Sequence, residues 1–124
     1  MTISEVSRKY GISQDTLRYY ERVGVIPPVH RTASGLRDYT EEDCGWVELV
    51  KCMRSAGLSV EVLTEYVRLS RQGDSTISDR LKLLVEQRKQ LADQMEVIRG
   101  TMERLDYKIS RYEAAVKTGK LIWD

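Results

Sequence analysis

From residue 77 to residue 112 an apolar side chain returns every three or four positions without a slip. Ile77, Leu84, Leu91, Ile98, Leu105 and Tyr112 are seven apart, and the interleaved Leu81, Arg88, Met95, Met102 and Ile109 are seven apart as well. Alternating steps of four and three make the a/d seam of a coiled coil. At about 1.5 Å per residue the seam runs for about 53 Å. A stripe of that length cannot be hidden against a domain of about seventy residues. It predicts pairing with a second copy of the chain, a homodimer. Arg88 is the one charge on the seam. It either sets register and orientation, finds a carboxylate across the interface, or snorkels out where the helices splay.

The residues upstream read as four shorter helices with polar starts. Thr2 with Glu5 and Thr40 with Asp43 have the spacing of capping boxes, in which the hydroxyl accepts a backbone N–H and the carboxylate reaches back. Ser13 precedes "QDTLRYYERV", and Ser59 precedes "VEVLTEYVRLSRQG", with Gly73 placed as a C-terminal stop. Helices are expected near 2–10, 13–23, 40–56 and 59–72. Only "GIS" separates the first two, the pattern of a helix-turn-helix. Between the second and third lies "GVIPPVHRTASGLRDYT". Its adjacent prolines forbid helix and its "TASG" suits a turn, so a β-hairpin is expected there, the wing of a winged helix. Thr76 with Asp79 offers a last N-cap. The fold class expected is mainly α: a winged helix-turn-helix domain over 1–73 (wing about 25–39), ending in a helical pair, then a dimerisation coiled coil over 76–118 and a short tail, 119–124.

Composition sets limits on function. The chain has 124 residues, 41% hydrophobic and 31% charged, with a net charge of +1. That balance announces no nucleic-acid partner by itself, so any such reading rests on where the basic residues lie. The N-terminus lacks a signal-like apolar run, no stretch approaches a membrane span, and two cysteines suit a reducing compartment, so a cytoplasmic location without a membrane partner is expected. No nucleophile–base pair, carboxylate dyad or glycine-rich phosphate loop can be assembled, so an enzyme is not expected. Cys44, Cys52 and His30 are the only soft ligands, and no two stand three or four apart. No metal site and no cofactor are expected.

The stretch "TLRYYERVG" carries the DNA reading. On a helix Leu17 faces the core, while Gln14, Arg18 and Arg22 align on another face at four-residue spacing. Arg18 can bond a guanine edge or a phosphate. The hydroxyls of Tyr19 and Tyr20 can anchor phosphates, or their rings can simply pack. Arg37 and Tyr39, at the base of the wing, add a second phosphate-binding cluster.

With "ISEVSRKYGISQDTLRYYERVGVIPP", then "GLRDYT", then a helical pair and a long coiled coil, the sequence closely resembles the MerR family of bacterial transcription regulators over nearly its whole length. Leu36 departs from the aromatic residue that many members carry between the glycine and arginine of the wing. The resemblance implies a winged-helix dimer joined by an antiparallel coiled coil. Such dimers bind a pseudo-palindromic operator in double-stranded promoter DNA and distort it, acting on RNA polymerase through the promoter. Deformation of that kind costs a few kcal/mol, roughly, drawn from phosphate contacts. Carried over residue by residue, Arg18, Tyr20, Arg37 and Tyr39 match the family's DNA contacts, with Thr16, Tyr19 and Arg54 as further positions. A coiled-coil adaptor without promoter activity is the alternative of another class.

Two cysteines remain. With Trp46, Leu49, Val50 and Met53 taken as the buried face of the third helix, Cys44 points towards solvent and Cys52 lies on the flank, where a partner chain could pack. Eight residues of helix put them about 12 Å apart, beyond the limit of roughly 7 Å between Cα atoms for a disulfide. Lys51 and Arg54 project about 100° and about 200° away from Cys52. Its same-face neighbours are Glu48, Leu49, Ser55 and Ala56, and a nearby Glu48 would disfavour a thiolate. Any activation must come from other segments. The stretch "KCMRSAGLS" resembles the aldehyde- and electrophile-responsive AdhR/NmlR branch of the family. That resemblance implies Cys52 as the sensor thiol, with oxidation or metal binding between subunits as the alternative signal.

Overall fold

The hydroxyls placed before the first four helices each cap the helix that follows. In the computed structural model, which describes residues 1–123, α1 spans Ile3–Tyr10, α2 Gln14–Val23, α3 Glu41–Ser55 and α4 Val60–Arg71. Thr2 Oγ1 accepts from the Glu5 N–H at 3.2 Å, and Glu5 Oε1 accepts from the Thr2 N–H at 2.9 Å. Thr40 and Asp43 repeat the arrangement at the start of α3. Ser13 and Ser59 cap α2 and α4 through the N–H groups of Thr16 and Val62. Each satisfies a backbone donor that the first turn leaves without a partner. Gly11 ends α1 at φ 66°, a left-handed conformation open to glycine at little cost, and starts the tight turn into α2.

The last helix starts differently from expectation. A 3-10 turn, Asp74–Thr76, precedes α5, Ile77–Thr118. Thr76 is buried, and its hydroxyl shares its proton between the carbonyls of Leu69 (2.6 Å) and Gly73 (2.8 Å) while accepting from Arg80 Nε at 3.0 Å. It ties α5 back to the end of α4, where the local pattern predicts an N-cap facing Asp79. The sequence motif is local, whereas the carbonyls at the end of α4 are also short of donors and lie within reach.

The wing is smaller than a hairpin. A single antiparallel bridge, Arg31 with Arg37, is its only ladder contact among the described residues. The turn is closed by Thr32 N–H to Leu36 O (2.8 Å) and Gly35 N–H to Thr32 O (2.9 Å). Asp38 N–H to His30 O (2.7 Å) joins the arms below the bridge, and three other donors are used elsewhere. Val29 N–H goes to Glu21 Oε2, His30 N–H to Asp43 Oδ2, and Tyr39 N–H to Met1 O. With Pro27 and Pro28 lacking N–H groups, little backbone remains to build strands.

The chain divides into two compact units, 1–85 and 86–124. In the first, Val6, Leu17, Val25, Ile26, Tyr39, Val47 and Val50 are fully buried. The buried face of α3 is Cys44, Val47 and Val50, rotated from the expected Trp46, Leu49, Val50 and Met53. Trp46 is half-buried and rests on Tyr66, ring centroids 6.0 Å apart. Cys44 is covered from the distant N-terminus, its Sγ 4.0 Å from the Met1 sulfur, a contact that helical periodicity cannot foresee. In the second unit Trp123 packs edge-on against Tyr112 (5.8 Å) and beside Tyr107 (6.3 Å), and Arg111 Nε donates to Ile122 O at 2.8 Å. The expected tail ends at residue 124, outside the described residues. No residue of α5 is buried, and its seam positions Ile77, Leu81, Leu84, Met95, Ile98, Met102, Leu105, Ile109 and Tyr112 are exposed, Leu91 partly so. Among the described residues, no helix is long and apolar enough to cross a membrane.

Candidate nucleic-acid interface

Leu17 is the pin that fixes α2. It is fully buried, so the residues one position either side, Thr16 and Arg18, are turned towards the rim and the surface. The end of α2 is sealed by one carbonyl: Tyr20 O accepts the N–H groups of Gly24, Val25 and Ile26 at 3.1, 3.1 and 3.4 Å. That redirects the chain into the core and then the two prolines.

On the outer face of α2, Arg18 reaches Asp15 Oδ1 at 3.1 Å and Gln14 Oε1 at 3.3 Å. Asp15 is almost wholly solvated and the Arg18 side chain 44% exposed, so this pair is a surface contact. Tyr19 and Tyr20 are half-buried, their rings 6.2 Å apart, and the Arg22 guanidinium lies 5.5 Å from the Tyr19 ring centre. Thr16 accepts from Ser13 Oγ at 2.8 Å. From the last turn of α3, Arg54 donates to Leu58 O at 2.8 Å. One shallow groove is lined by Asp15, Thr16, Tyr19, Tyr20, Arg22, Arg54 and Val60. It joins four of the residues expected to meet DNA, drawn from two parts of the chain, and adds Arg22. Two arginines and three hydroxyl groups on a concave surface suit phosphate oxygens.

The wing residues divide. Arg37 is partly exposed and its Nε donates to Glu21 Oε1 at 2.7 Å. Tyr39 departs from expectation: it is 2% exposed, and its hydroxyl is buried with no hydrogen-bond partner among the described residues. Burial pushes its phenol above the usual tyrosine range; Glu21 and Asp43 add to the shift, and Arg37 opposes it. Tyr39 is a core side chain, because the arm carrying it is pulled inward by the Met1 carbonyl.

Sequence reasoning missed Glu21. Its two carboxylate oxygens take Arg37 and the Val29 N–H, and Arg31 Nη2 stands 3.8 Å away. An acidic residue on a helix meant for DNA is itself a signal, since its charge opposes phosphate unless basic partners neutralise it.

Residues 1–69 match the family described as MerR HTH family regulatory protein. The chain belongs to the MerR family. Among similar proteins, the HTH-type transcriptional regulator AdhR of Bacillus subtilis is 52% identical over 93 residues, 75% of this chain and 66% of that one. The alignment thus spans just under two thirds of AdhR. An HTH-type transcriptional regulator of Haemophilus influenzae is 32% identical over 97% of this chain and 89% of its own. Among solved structures, a MerR family regulator from Listeria monocytogenes superposes with a TM-score of 0.91 at 43% identity, covering 96% of this chain and 90% of that one. HiNmlR, a MerR family regulator lacking the sensor domain and crystallised bound to promoter DNA, superposes with a TM-score of 0.87 at 32% identity, over 97% and 95% of the two chains. This MerR-family protein is a DNA-binding transcriptional regulator with a mainly helical fold.

Cys44 departs from its expected solvent-facing place, and Cys52 lies further out than the flank expected for it. Cys44 is buried and Cys52 exposed, because α3 is rotated about its axis relative to the expected phase. His30, the remaining soft ligand, has Nδ1 3.5 Å from Asp38 Oδ2.

Proposed function

We propose that this MerR-family regulator acts as a homodimer, joined by antiparallel pairing of the α5 seams, that binds two half-sites of a promoter and distorts the DNA between them. The groove that unites Thr16, Tyr19, Tyr20 and Arg54 with Arg22 carries this reading. Arg18 beside it would read a guanine edge or hold a phosphate, and Arg37 would hold a phosphate at the wing. Tyr39 supports the wing from within. Residues 1–73 would serve as the DNA-binding domain and 76–118 as the dimerisation element. RNA polymerase would respond to the altered promoter geometry without being touched, a form of indirect readout. The exposed seam supports the dimer, since a soluble helix does not leave a continuous apolar stripe in water.

The signal assigned to the dimer is covalent modification of Cys52 by a reactive aldehyde or other electrophile. The thiol sulfur bonds to the carbonyl carbon, the carbonyl π bond breaks, and the thiol proton ends on the former carbonyl oxygen, giving a hemithioacetal. Exposure favours Cys52 over the covered Cys44. A promoter-reporter assay with Cys52→Ser and Cys52→Ala tests this directly. Both variants should bind the promoter and lose the aldehyde response. A full response in either one removes Cys52 from the mechanism. Mass spectrometry after peroxide, aldehyde or metal exposure separates the signals: an unmodified Cys52 alongside stoichiometric metal favours metal sensing. An adaptor without promoter activity would show no salt-dependent retardation of promoter DNA, whereas a regulator's affinity falls steeply with salt.

A further inference from the structure

The seam extends one position further than Tyr112. Val116 continues it by a step of four, still within α5, and is 85% exposed. Leu81, Arg88, Met95, Met102, Ile109 and Val116 then occupy the a positions, and Ile77, Leu84, Leu91, Ile98, Leu105 and Tyr112 the d positions. In an antiparallel pair each a residue lies level with a d residue of the other helix, and the residue following that d flanks it.

One register matches every a with a d and leaves no seam residue over. It puts Met95 level with Ile98 of the partner subunit, Ile77 with Val116 of the partner subunit, and Arg88 with Leu105 of the partner subunit. Asp106 of the partner subunit then flanks Arg88. Within one chain neither Arg88 nor Asp106 makes an ion pair among the described residues, whereas Arg99 is bound by both Glu96 and Glu103. Moving the register one heptad in one direction sets Arg88 beside Arg99 of the partner subunit, like against like. Moving it one heptad the other way sets Arg88 beside Glu113 of the partner subunit, but leaves Ile77 and Leu81 facing residues beyond Thr118, where α5 ends.

We propose that Arg88 and Asp106 of the partner subunit form two symmetry-related ion pairs that select this register. The proposal rests on the homodimer reading. A charge inside an apolar seam lowers affinity unless it is paired, and so it penalises every register that leaves it unpaired. Arg88 is a register-setting residue; the surrounding apolar layers supply the attraction.

Sedimentation equilibrium of the full chain tests the pair. Arg88→Glu and Asp106→Arg should each weaken the dimer by about tenfold or more, and the double variant should return to within about threefold of the original. Rescue of Arg88→Glu by Glu113→Arg in place of Asp106→Arg would overturn the register by one heptad. Single variants that dimerise like the parent would overturn the pair. A parent chain that stays monomeric at all concentrations sinks the homodimer reading itself, and the pair with it. A second measurement needs no charge reversal: spin labels on Lys117→Cys, with Cys44 and Cys52 replaced by serine. Labels in the proposed register should stand about 60 Å apart, and a slip of one heptad moves them by about 10 Å. A distance near 50 or near 70 Å, on this order-of-magnitude geometry, overturns it.

Discussion

Arg37 Nε donates to Glu21 Oε1 across 2.7 Å, and the other oxygen of the same carboxylate takes the Val29 N–H at 2.8 Å. One side chain of α2 therefore secures both arms of the wing. Glu21→Ala would strip a partly buried guanidinium and a backbone donor of their acceptor together. The expected loss is about 2 kcal/mol of stability, read by urea or thermal unfolding. Glu21→Gln should recover part of it, because an amide oxygen still accepts one bond. Equal stability of all three proteins would show that water replaces the carboxylate without cost.

Tyr39→Phe makes the opposite prediction. The hydroxyl it removes is buried and unpartnered, so stability should hold or rise by about 1 kcal/mol. Promoter affinity should stay within a factor of about two, roughly 0.4 kcal/mol, if Tyr39 touches no phosphate. Tyr20→Phe on the exposed groove should weaken binding. A matching loss for both would return Tyr39 to the interface.

The phenol of Tyr39 also sets a pH dependence. Burial raises it above the ordinary tyrosine value of about 10, so the folded state keeps its proton where the unfolded chain releases it. The resulting stability is present below the unfolded value and is lost as pH rises through the folded one. Unfolding scans should show stability falling above about pH 10, with a shallower fall in Tyr39→Phe.

Removing Arg54 should weaken binding to every sequence alike. If its guanidinium holds one phosphate, Arg54→Ala should lower the slope of log affinity against log salt by about 1. Arg18→Ala should do that and also relax preference at one base position if it reads a guanine edge. Competition assays at several salt concentrations separate the two behaviours.

Alkylation distinguishes the two thiols. Brief treatment with iodoacetamide followed by peptide mass spectrometry should label Cys52 and spare Cys44. The reverse order would mean that the Met1 cover over Cys44 opens readily.

The helices were legible because their signals are local. Thr2, Ser13, Thr40 and Ser59 each sit beside the donors they cap, and the seam of α5 repeats eleven times along one element. Leu17 followed from the same periodicity. Errors arose wherever a distant segment supplied the partner. Met1 covers Cys44 on the buried face of α3, the Met1 carbonyl holds the Tyr39 N–H, and Glu21 and Asp43 take two donors of the wing. Thr76 is a different case: its acceptors Leu69 and Gly73 are close in sequence, and they take the hydroxyl that the cap pattern assigned to α5. Arg18, Tyr19, Tyr20 and Arg54 could be named from sequence, but not that three of the four share a groove with Thr16.

Arg18 keeps its fork occupied by Asp15 and Gln14. Any newcomer must displace these two acceptors, which hold the guanidinium only through exposed surface contacts. A lone phosphate oxygen offers little more than the carboxylate it would replace, whereas the paired acceptors of a guanine edge offer two aligned bonds at once. If Arg18 reads a guanine edge as proposed, Asp15 and Gln14 would compete for its fork, and only a base that offers both bonds at once would outweigh them on every visit.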